Sequence, residues 1–537
     1  MDAKEKARTS SLVVVATILL FTLSARPDAQ QASAANGQVS APQVRMRWQD
    51  FISGPDGTKR LTSLKAAVQK MKSLDNSPQN SADYRRSWQY WANIHGYYGA
   101  PSPDGTVEAQ IQYLKANGMG NYVSYYQGIT DQSPPDSTAQ AVWATCQHSE
   151  DTQALNFFGW HRMYLYYFER VLRWAAADDT LRLPYWDYTD PTQVALPAEF
   201  QSTVSALYDS RRDPGMNTSA STLNPASTNV NALLRETDYF SYEKKVEHGI
   251  HGYVHCTVGP TCPVAHMGDV PLAGNDPVFY FHHSNIDRLW ACWQNLHPTP
   301  AGDWQDQQFS FVDETGTMQT QPVKNFLDPT SLGYVYDNAG SCARGAAPLV
   351  ASKALAGQAG PPSGERKTSV LATTKSILIS RPQTSVDINV PKSKLHGLFA
   401  QPEGAGATEL VLRDVTAQSH PGVLFDVYLA KKGDPTVRKL VGTISWFGAF
   451  RHHGSKGPEK KTLQFDVTDQ LRGLGEAATS SGLTVTIEAT QGRVPADPSK
   501  AQAMQAAAAE AFRPQAKLQI GAIELQQVTV PPVPENR

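Results

Sequence analysis

The spacing of histidines in two helical segments is the feature that most constrains the fold of this chain. His251 and His255 lie four residues apart, so on a helix both imidazoles project from the same face. A second segment, 276–290, carries the adjacent pair His282 and His283. Two imidazoles from one helix and a third from its neighbour can bind one metal ion. The pattern therefore predicts two helices packed against each other around a metal.

A second set of histidines lies upstream, at His95, His148 and His161. His161 belongs to segment 156–177, where aromatic and apolar residues recur at helical spacing, so its ring is expected to point into the core. Neutral imidazole sites without thiolate or carboxylate suit copper well, although zinc, iron and nickel also bind imidazole. Burying several imidazoles costs free energy unless each nitrogen has a partner. Two neighbouring three-histidine sites therefore predict a paired copper centre.

The positions of the histidines around the helix axis reduce the number of candidate ligands but leave more than one possibility. His248 lies close to the stripe of the paired histidines, so spacing alone does not exclude it. His282 and His283 point about 100° apart on a helix, and we expect only one of them to face a partner helix. His283 shares a stripe with Asp287, which favours His283 as the ligand and Asp287 as the acceptor that orients its ring.

Charge and the N-terminal segment limit the partners and the location. The formal net charge is -2 and no basic tract is present, which argues against a nucleic-acid partner. Residues 1–34 have the pattern of a signal peptide, with basic residues before a short apolar run and small residues after it. The run is shorter than the about 20 apolar residues of a membrane span. The sequence predicts a secreted or periplasmic protein with no membrane attachment after cleavage; an uncleaved anchor is the alternative.

The cysteine count is odd, which fits an exported protein with one unpaired thiol. Of the five cysteines, Cys256 and Cys262 flank a Gly-Pro turn and can pair. Cys292 and Cys342 form a second possible pair, which would leave Cys146, two residues before a predicted ligand. The alternative is that all five are reduced and buried.

Three regions follow the signal. Segment 46–343 is mainly helical and is predicted to be the catalytic domain, with helices over 81–97, 156–177, 231–256 and 276–296. Segment 344–368 is rich in Ala, Gly and Pro and predicts a linker open to proteolysis. Segment 369–530 alternates with a period of two and predicts an antiparallel β-sandwich, jelly-roll-like, interrupted by an Ala-rich surface helix at 499–512. The fold class is therefore a mainly α domain followed by an all-β domain.

Three segments resemble one known family. Residues 157–165 with Glu169, and residues 276–287, resemble the two copper signatures of tyrosinases, catechol oxidases and polyphenol oxidases. Residues 462–471 resemble the C-terminal domain of the plant-type polyphenol oxidases. The resemblance implies a four-helix bundle that carries two type-3 copper ions, with O₂ as the co-substrate and a small phenol as the substrate.

The resemblance also assigns ligands. It implies a first copper bound by His95, His148 and His161, and a second bound by His251, His255 and His283. This chain departs from the family's usual spacing through extra residues at 149–154, but no other histidine lies between the first and last members of the upstream set. Cys146 stands where some family members have a thioether bond to the ligand that corresponds to His148.

Further residues near the copper pair acquire roles by the same resemblance. Glu247 corresponds to a glutamate that orders a water and helps to deprotonate phenols; the alternative is that it holds a ligand histidine. Gly252 stands where strong monophenol hydroxylases often have Asn, which favours diphenolase activity. Met267 and Gly268 fall in the segment that borders the substrate entrance in relatives, although simple loop packing is an equal alternative.

The function expected from these residues is the oxidation of o-diphenols to o-quinones with O₂. The C-terminal domain is expected to cover the copper site until it is removed, and segment 446–450 either occupies the entrance or ends a buried strand. Alternatives are a tyrosinase that hydroxylates monophenols, an o-aminophenol oxidase and, from another class, a hemocyanin-like oxygen-binding protein. A zinc hydrolase is disfavoured because catalytic zinc sites need a single metal with an open position. The sequence gives no indication of the oligomeric state.

Overall fold

The computed structural model describes residues 41–99, 105–134, 136–149, 156–260, 262–337, 367–391, 394, 407–449, 460–475 and 482–529. The predicted signal, Cys342 and all but the last two residues of the predicted linker lie outside these ranges. The described residues from Gln43 onward belong to one compact unit. Among them, every helix is too short or too polar to traverse a bilayer.

The first part of the described chain is helical. The α-helices, α1 to α16 in chain order, are Trp48–Phe51, Gly57–Ser73, Ala82–Arg85, Trp88–His95, Val107–Ala116, Ser137–Val142, Phe157–Ala176, Ala198–Gln201, Pro214–Asn217, Asn231–Leu234, Tyr239–Val246, Gly252–Val258, Ala265–Gly268, Val278–Leu296, Thr468–Leu474 and Ala501–Ala511. A π-helical turn, Glu247–His251, joins α11 to α12. Short 3₁₀ turns are Gly120–Tyr126, Val270–Asn275, Asp303–Asp306, Val323–Phe326, Pro498–Lys500 and Pro514–Ala516.

Local capping explains where the observed helices differ from the predicted ones. The helix predicted over 81–97 is divided because the Ser87 side chain accepts the Tyr90 N–H at 3.1 Å and begins α4 anew. The segment 231–256 is also divided, and Asp238 begins α11 by accepting the Ser241 N–H at 2.7 Å. The long helices α7 and α14 begin and end within two residues of the predicted limits.

The second part of the chain is the predicted β-sandwich. The strands, β1 to β16 in chain order, are Gln43–Arg45, Ser221–Leu223, Gln308–Val312, Met318–Pro322, Tyr334–Tyr336, Lys367–Thr373, Ile377–Ile379, Gln383–Ile388, Ala407–Val415, Leu424–Lys431, Asp434–Ile444, Lys461–Asp466, Leu483–Thr490, Arg493–Pro495, Leu518–Ile520 and Ala522–Thr529. Two four-stranded antiparallel sheets have the orders β11-β10-β13-β8 and β12-β9-β16-β6. The predicted surface helix is α16. The predicted fold class is confirmed.

Several direct contacts join the β-sandwich to the helical part. Strand β14 of the sandwich pairs antiparallel with β2, which lies between α9 and α10. The Tyr253 hydroxyl on α12 donates to the Gly492 carbonyl at 2.5 Å. Lys245 on α11 forms ion pairs with Glu236 at 2.5 Å and with Glu409 of β9 at 2.6 Å, and all three side chains are buried. The two parts therefore share backbone pairing and a buried ion-pair network.

The described cysteines agree with the predicted pairing. Cys256 and Cys262 form a disulfide that closes the loop after α12. Cys292 on α14 is disulfide-bonded, and its predicted partner Cys342 lies outside the described residues. Cys146 is not part of a disulfide. The alternative in which all five are reduced is wrong.

Candidate metal centre

Four histidines from α12 and α14, with the turn that precedes α12, converge in the core. The ring nitrogens of His251, His255, His282 and His283 lie within 4.8 Å of one another, and all four side chains are buried. Nε2 of His255 is 3.3 Å from Nε2 of His283. This group, which we call group B, contains the three histidines predicted for the second copper.

A second group, group A, lies beside it. His95 at the end of α4, His161 on α7 and Cys146 place their ligand atoms within 4.8 Å of one another. The Cys146 sulfur is 3.7 Å from Nε2 of His161. The rings of His161 and His283 stack with centroids 4.4 Å apart and an interplanar angle of 3°, so the two groups adjoin.

Backbone carbonyls orient most of these rings. In each case Nδ1 lies close enough to donate its hydrogen to a main-chain oxygen, which directs Nε2 away from the backbone. The pairs are His95 with Val270 at 2.7 Å, His161 with Phe157 at 2.7 Å, His255 with Met267 at 2.7 Å and His251 with Glu247 at 3.2 Å. Nε2 of His251 and of His282 is buried and has no hydrogen-bond partner among the described residues.

Burial keeps these imidazoles neutral. It lowers the pKa of His161 to about 3. Burial, together with the neighbouring rings, lowers the pKa of His251, His255 and His283 well below the usual range. A neutral imidazole is the form that binds a metal ion, because its second nitrogen carries a lone pair.

His148 is the predicted ligand that the structure does not bring into either group. Its Nδ1 lies 2.7 Å from Oε1 of Glu247, and the side chain is 16% exposed. The backbone N–H of Ser149 donates to the other carboxylate oxygen at 2.6 Å, and the Ser149 hydroxyl also contacts it. Burial alone would raise the pKa of Glu247, but the bonds from His148 and Ser149 lower it well below the usual range. The following residues, 150–155, lie outside the described ranges.

His282 is the site residue that sequence reasoning left out. The ring of His282 stacks on His251 at 5.4 Å between centroids and lies 4.8 Å from that of His255, while its Nδ1 is hydrogen-bonded to the Tyr188 hydroxyl at 2.8 Å. The expectation that only one of the adjacent pair faces a partner helix is wrong. Helix α14 is buried on all sides over this stretch, so two directions 100° apart both meet protein. The adjacency of the two histidines was the available signal.

Asp287 has a different partner set from the one predicted. Its carboxylate accepts hydrogen bonds from Arg162 Nε at 2.6 Å, Tyr334 at 2.7 Å, Tyr336 at 2.6 Å and Arg45 at 3.3 Å. None of the bonds described for it goes to His283, whose Nδ1 is buried without a partner among the described residues. Asp287 thus connects α14 to α7 and to the strands β1 and β5, and acts on the metal centre only through the position of the helix.

An aromatic side chain of the β-sandwich covers group B. The Phe447 ring stacks on His255 with centroids 3.9 Å apart and an interplanar angle of 13°, and lies 5.4 Å from the His251 ring. Trp446 anchors this segment by donating its indole N–H to the Val423 carbonyl at 3.0 Å. Residues 446–449 of the predicted segment 446–450 are described; they follow the end of β11 at Ile444 and bring Phe447 against the histidine rings.

The three predicted channel residues have different surroundings. Gly252 begins α12 beside Ser445 and Phe447. Met267 is buried, and its carbonyl is the hydrogen-bond acceptor of His255. Gly268 packs closely against Gly259, after α12. The described contacts of Met267 and Gly268 are therefore with α12 and the loop after it, whereas Gly252 faces the cover directly.

Two family models match the chain. The common central domain of tyrosinase matches residues 85–221 and 197–296, which include every histidine of both groups. The polyphenol oxidase middle domain matches residues 301–346.

Similar proteins include plant and bacterial examples. The chain is 26% identical over 376 residues to a latent, chloroplastic polyphenol oxidase of Prunus armeniaca, which covers 62% of this chain and 61% of that protein. It is 29% identical over 304 residues to a tyrosinase of Hahella sp. strain CCB-MM4, covering 50% of this chain and 59% of the relative. The chain thus spans less than two thirds of the length of these relatives. A solved structure of latent aurone synthase, a polyphenol oxidase, shares the fold at a TM-score of 0.56 and 17% identity, covering 92% and 90% of the two chains.

Proposed function

We propose that this chain, a member of the tyrosinase and polyphenol oxidase family, is a copper oxidoreductase that oxidises o-diphenols to o-quinones with O₂. The observation that carries the proposal is the junction of groups A and B at the stacked rings of His161 and His283, 4.4 Å apart. Two metal-binding groups that adjoin in this way can act together on one small molecule.

The residues present fit copper. Groups A and B consist of imidazoles and one thiol, without a carboxylate, and this donor set suits copper rather than magnesium or calcium. The unpartnered Nε2 atom of His251 is costly in an apolar interior, and a bound metal ion removes that cost. The second ion would be held by His251, His255 and His283, and the first by His95 and His161 with His148. When bound, copper supplies the electron transfer from catechol to O₂.

Glu247 supports the assignment of His148 as the third ligand. The carboxylate holds Nδ1 of His148 as backbone carbonyls hold the other rings, so Nε2 is the atom that would bind copper. Both oxygens of Glu247 are engaged, one by His148 and the other by Ser149. We therefore assign Glu247 the role of holding a ligand histidine rather than that of accepting a proton from the phenol.

Cys146 is proposed to form the thioether bond to His148. The bond replaces the S–H of the thiol and a C–H of the ring, with O₂ as the oxidant, so the copper-treated chain would be lighter by two hydrogen atoms. Peptide mass spectrometry would reveal a crosslinked peptide that contains both residues. A free, alkylatable Cys146 in the active protein would contradict this assignment.

The Phe447 contact supports a latent enzyme. Because Phe447 lies against His255, a phenol cannot stack at that position while the β-sandwich is in place. We expect cleavage within 344–368, followed by release of the 369–530 domain, to raise catechol oxidation. Oxygen uptake should be measured with copper-loaded protein before and after cleavage, with paired monophenol and diphenol substrates. An unchanged rate after verified release of the domain would contradict latency.

The same experiment separates the alternatives. Hydroxylation of the monophenol would identify a tyrosinase, and turnover of an o-aminophenol would identify that oxidase activity. A covered site also suits an oxygen carrier, which would bind O₂ reversibly and leave catechol unconsumed even after domain release. Metal analysis should find two copper ions and no zinc per active chain.

Export is proposed from the signal pattern at 1–34. The disulfide between Cys256 and Cys262 supports an oxidising compartment, since such bonds are rare in reducing cytosol. The printed name of the Prunus armeniaca relative places that protein in chloroplasts. N-terminal sequencing of the mature protein and fractionation of its host would test secretion against other destinations.

A further inference from the structure

Gly252 occupies a position where helix stability favours a side chain. It is the first residue of α12 and has helical angles, φ −63° and ψ −33°. Alanine is more stable than glycine in helices, because glycine loses more backbone freedom on folding. The backbone of α12 therefore offers no reason for glycine at this position.

The reason lies across the domain interface. A Cβ atom built on Gly252 would lie 2.5 Å from Oγ of Ser445 and 3.5 Å from Cβ of Phe447, and its remaining near neighbour is the Glu247 carbonyl at 3.4 Å. Real Cβ atoms do not approach other atoms to 2.5 Å, so something must shift. The side chains that obstruct residue 252 thus belong to the C-terminal domain.

The obstructing segment has little room to adjust. Ser445, Trp446 and Phe447 are 7%, 2% and 8% exposed. Strand β11, which ends at Ile444, fixes the segment on one side, and the bond from Trp446 to the Val423 carbonyl fixes it in the middle. A displacement of the Ser445 backbone would therefore carry Phe447 away from the His255 ring.

We propose that Gly252 is the docking point of the covering segment 445–449 of the C-terminal domain, and that its missing side chain is what allows Phe447 to close over His255. The inference rests on the proposed function only in its activity readout. It gives residue 252 a second role: a side chain there changes the border of the substrate entrance and also prevents full closure of the uncleaved chain.

The test uses the full-length chain with Gly252→Ala and Gly252→Val. Hydrogen exchange of the amides in 445–449 should be protected in the wild type and roughly tenfold faster in the variants, since one misplaced methyl group shifts a packed contact by about this factor. This measurement needs neither copper nor turnover. In copper-loaded protein, we compare catechol oxidation after cleavage and verified release of the C-terminal domain with that of the uncleaved chain. In the variants this ratio should fall towards unity, and it cancels any effect of the variant on the open site.

Two further variants identify the contact. Ser445→Gly removes the hydroxyl that the new methyl would meet, so Gly252→Ala/Ser445→Gly should regain protection and a high ratio. Gly473→Ala is the matched control, because it lies in the short helix α15 and its Cβ would meet only the Lys439 side chain, at 3.7 Å. The proposal would be overturned if Gly252→Val kept the wild-type hydrogen-exchange rate and the wild-type activity ratio. It would also be overturned if Ser445→Gly failed to restore both quantities in the alanine variant. A wild type that never oxidises catechol would defeat the proposed function, and the exchange data would still decide the docking role.

Discussion

At the scale of single residues, the adjacent histidines of α14 present the sharpest question. Both His282 and His283 reach group B, but their surroundings differ. His282 is hydrogen-bonded through Nδ1 to Tyr188, and among the described residues its ring contacts are with its own group and Tyr188. His283 instead stacks on His161 of group A. The bridging position is therefore that of His283.

This difference predicts unequal effects of substitution. His283→Gln should lose the second copper and lower catechol oxidation by about a hundredfold or more, while His282→Gln should keep both ions with a smaller loss. Copper content per chain, measured after dialysis, is the deciding quantity. His297→Gln serves as the control, since that histidine is bonded to the Leu234 carbonyl outside both groups. Full copper in His283→Gln would refute the ligand assignment.

A buried carboxylic acid in the β-sandwich predicts a pH dependence of stability. Burial raises the pKa of Asp426 from 3.8 to about 6, although the Thr443 hydroxyl donates to it at 2.7 Å. The folded state therefore binds the proton more tightly than the unfolded state between these pH values. This contribution to stability is complete below pH 3.8 and is lost as the pH rises through about 6.

Asp426→Asn should remove that dependence. We expect the variant to gain roughly 2–3 kcal/mol relative to wild type between pH 4 and pH 7, measured as the free energy of unfolding of the full-length chain. Parallel profiles for wild type and Asp426→Asn would show that the carboxyl is not buried as described.

At the scale of elements, a side-chain cap fixes the start of the helix that positions one histidine of group A. Ser87 begins α4, whose last residue is His95, and Ser81 begins the neighbouring α3 through the same kind of bond to Tyr84, at 3.1 Å. Only α4 contributes a residue to the metal centre. The two caps make the same backbone bond but differ in what their helices hold and in burial, since Ser87 is buried and its side chain also bonds the Asp75 carboxyl.

Ser87→Ala and Ser81→Ala should therefore separate stability from metal binding. Each should cost about 1 kcal/mol of unfolding free energy, because one N–H at a helix start loses its partner. Only Ser87→Ala should also release the first copper more readily, by up to roughly fivefold in competition with a chelator. Equal copper release from both variants would mean that the position of His95 does not depend on the start of its helix.

At the scale of the whole molecule, the closed state depends on more than the linker. The pairing of β2 with β14 and the buried triad of Lys245, Glu236 and Glu409 hold the sandwich to the helices, and Arg493 pairs with Asp213 at 2.9 Å. Cleavage within the linker breaks none of these contacts. We therefore expect the two fragments of the cleaved chain to stay associated until these contacts are also broken.

Lys245→Ala tests whether the buried ion pairs hold the two parts together. The substitution leaves two buried carboxylates without their cation, which typically costs about 3–5 kcal/mol. After linker cleavage, the wild type should elute as one species in gel filtration and the variant as two. Arg235→Ala is the control, because Arg235 pairs with Asp466 and Asp469 while 46% exposed, and such surface pairs contribute little. Co-elution of the Lys245→Ala fragments would show that other contacts hold the two parts together.

The sequence by itself determined the order of the parts and predicted most of the histidines that converge in groups A and B. Helical spacing identified His251, His255 and His161, and alternation identified the strands of the sandwich, because both patterns depend only on neighbours along the chain. The break at Ser87 and the π turn before α12 were missed, since capping and packing override a continuous pattern.

Only the tertiary structure decided the contacts between distant segments. His148 bonds Glu247 across 99 positions, Asp287 joins residues of β1, α7 and β5, and Phe447 reaches His255 from another domain. No local period relates such residues, because their proximity results from how helices and sheets pack. The physical reason for Gly252 belongs to the same class: a missing side chain has meaning only through the atoms of Ser445 that occupy its place.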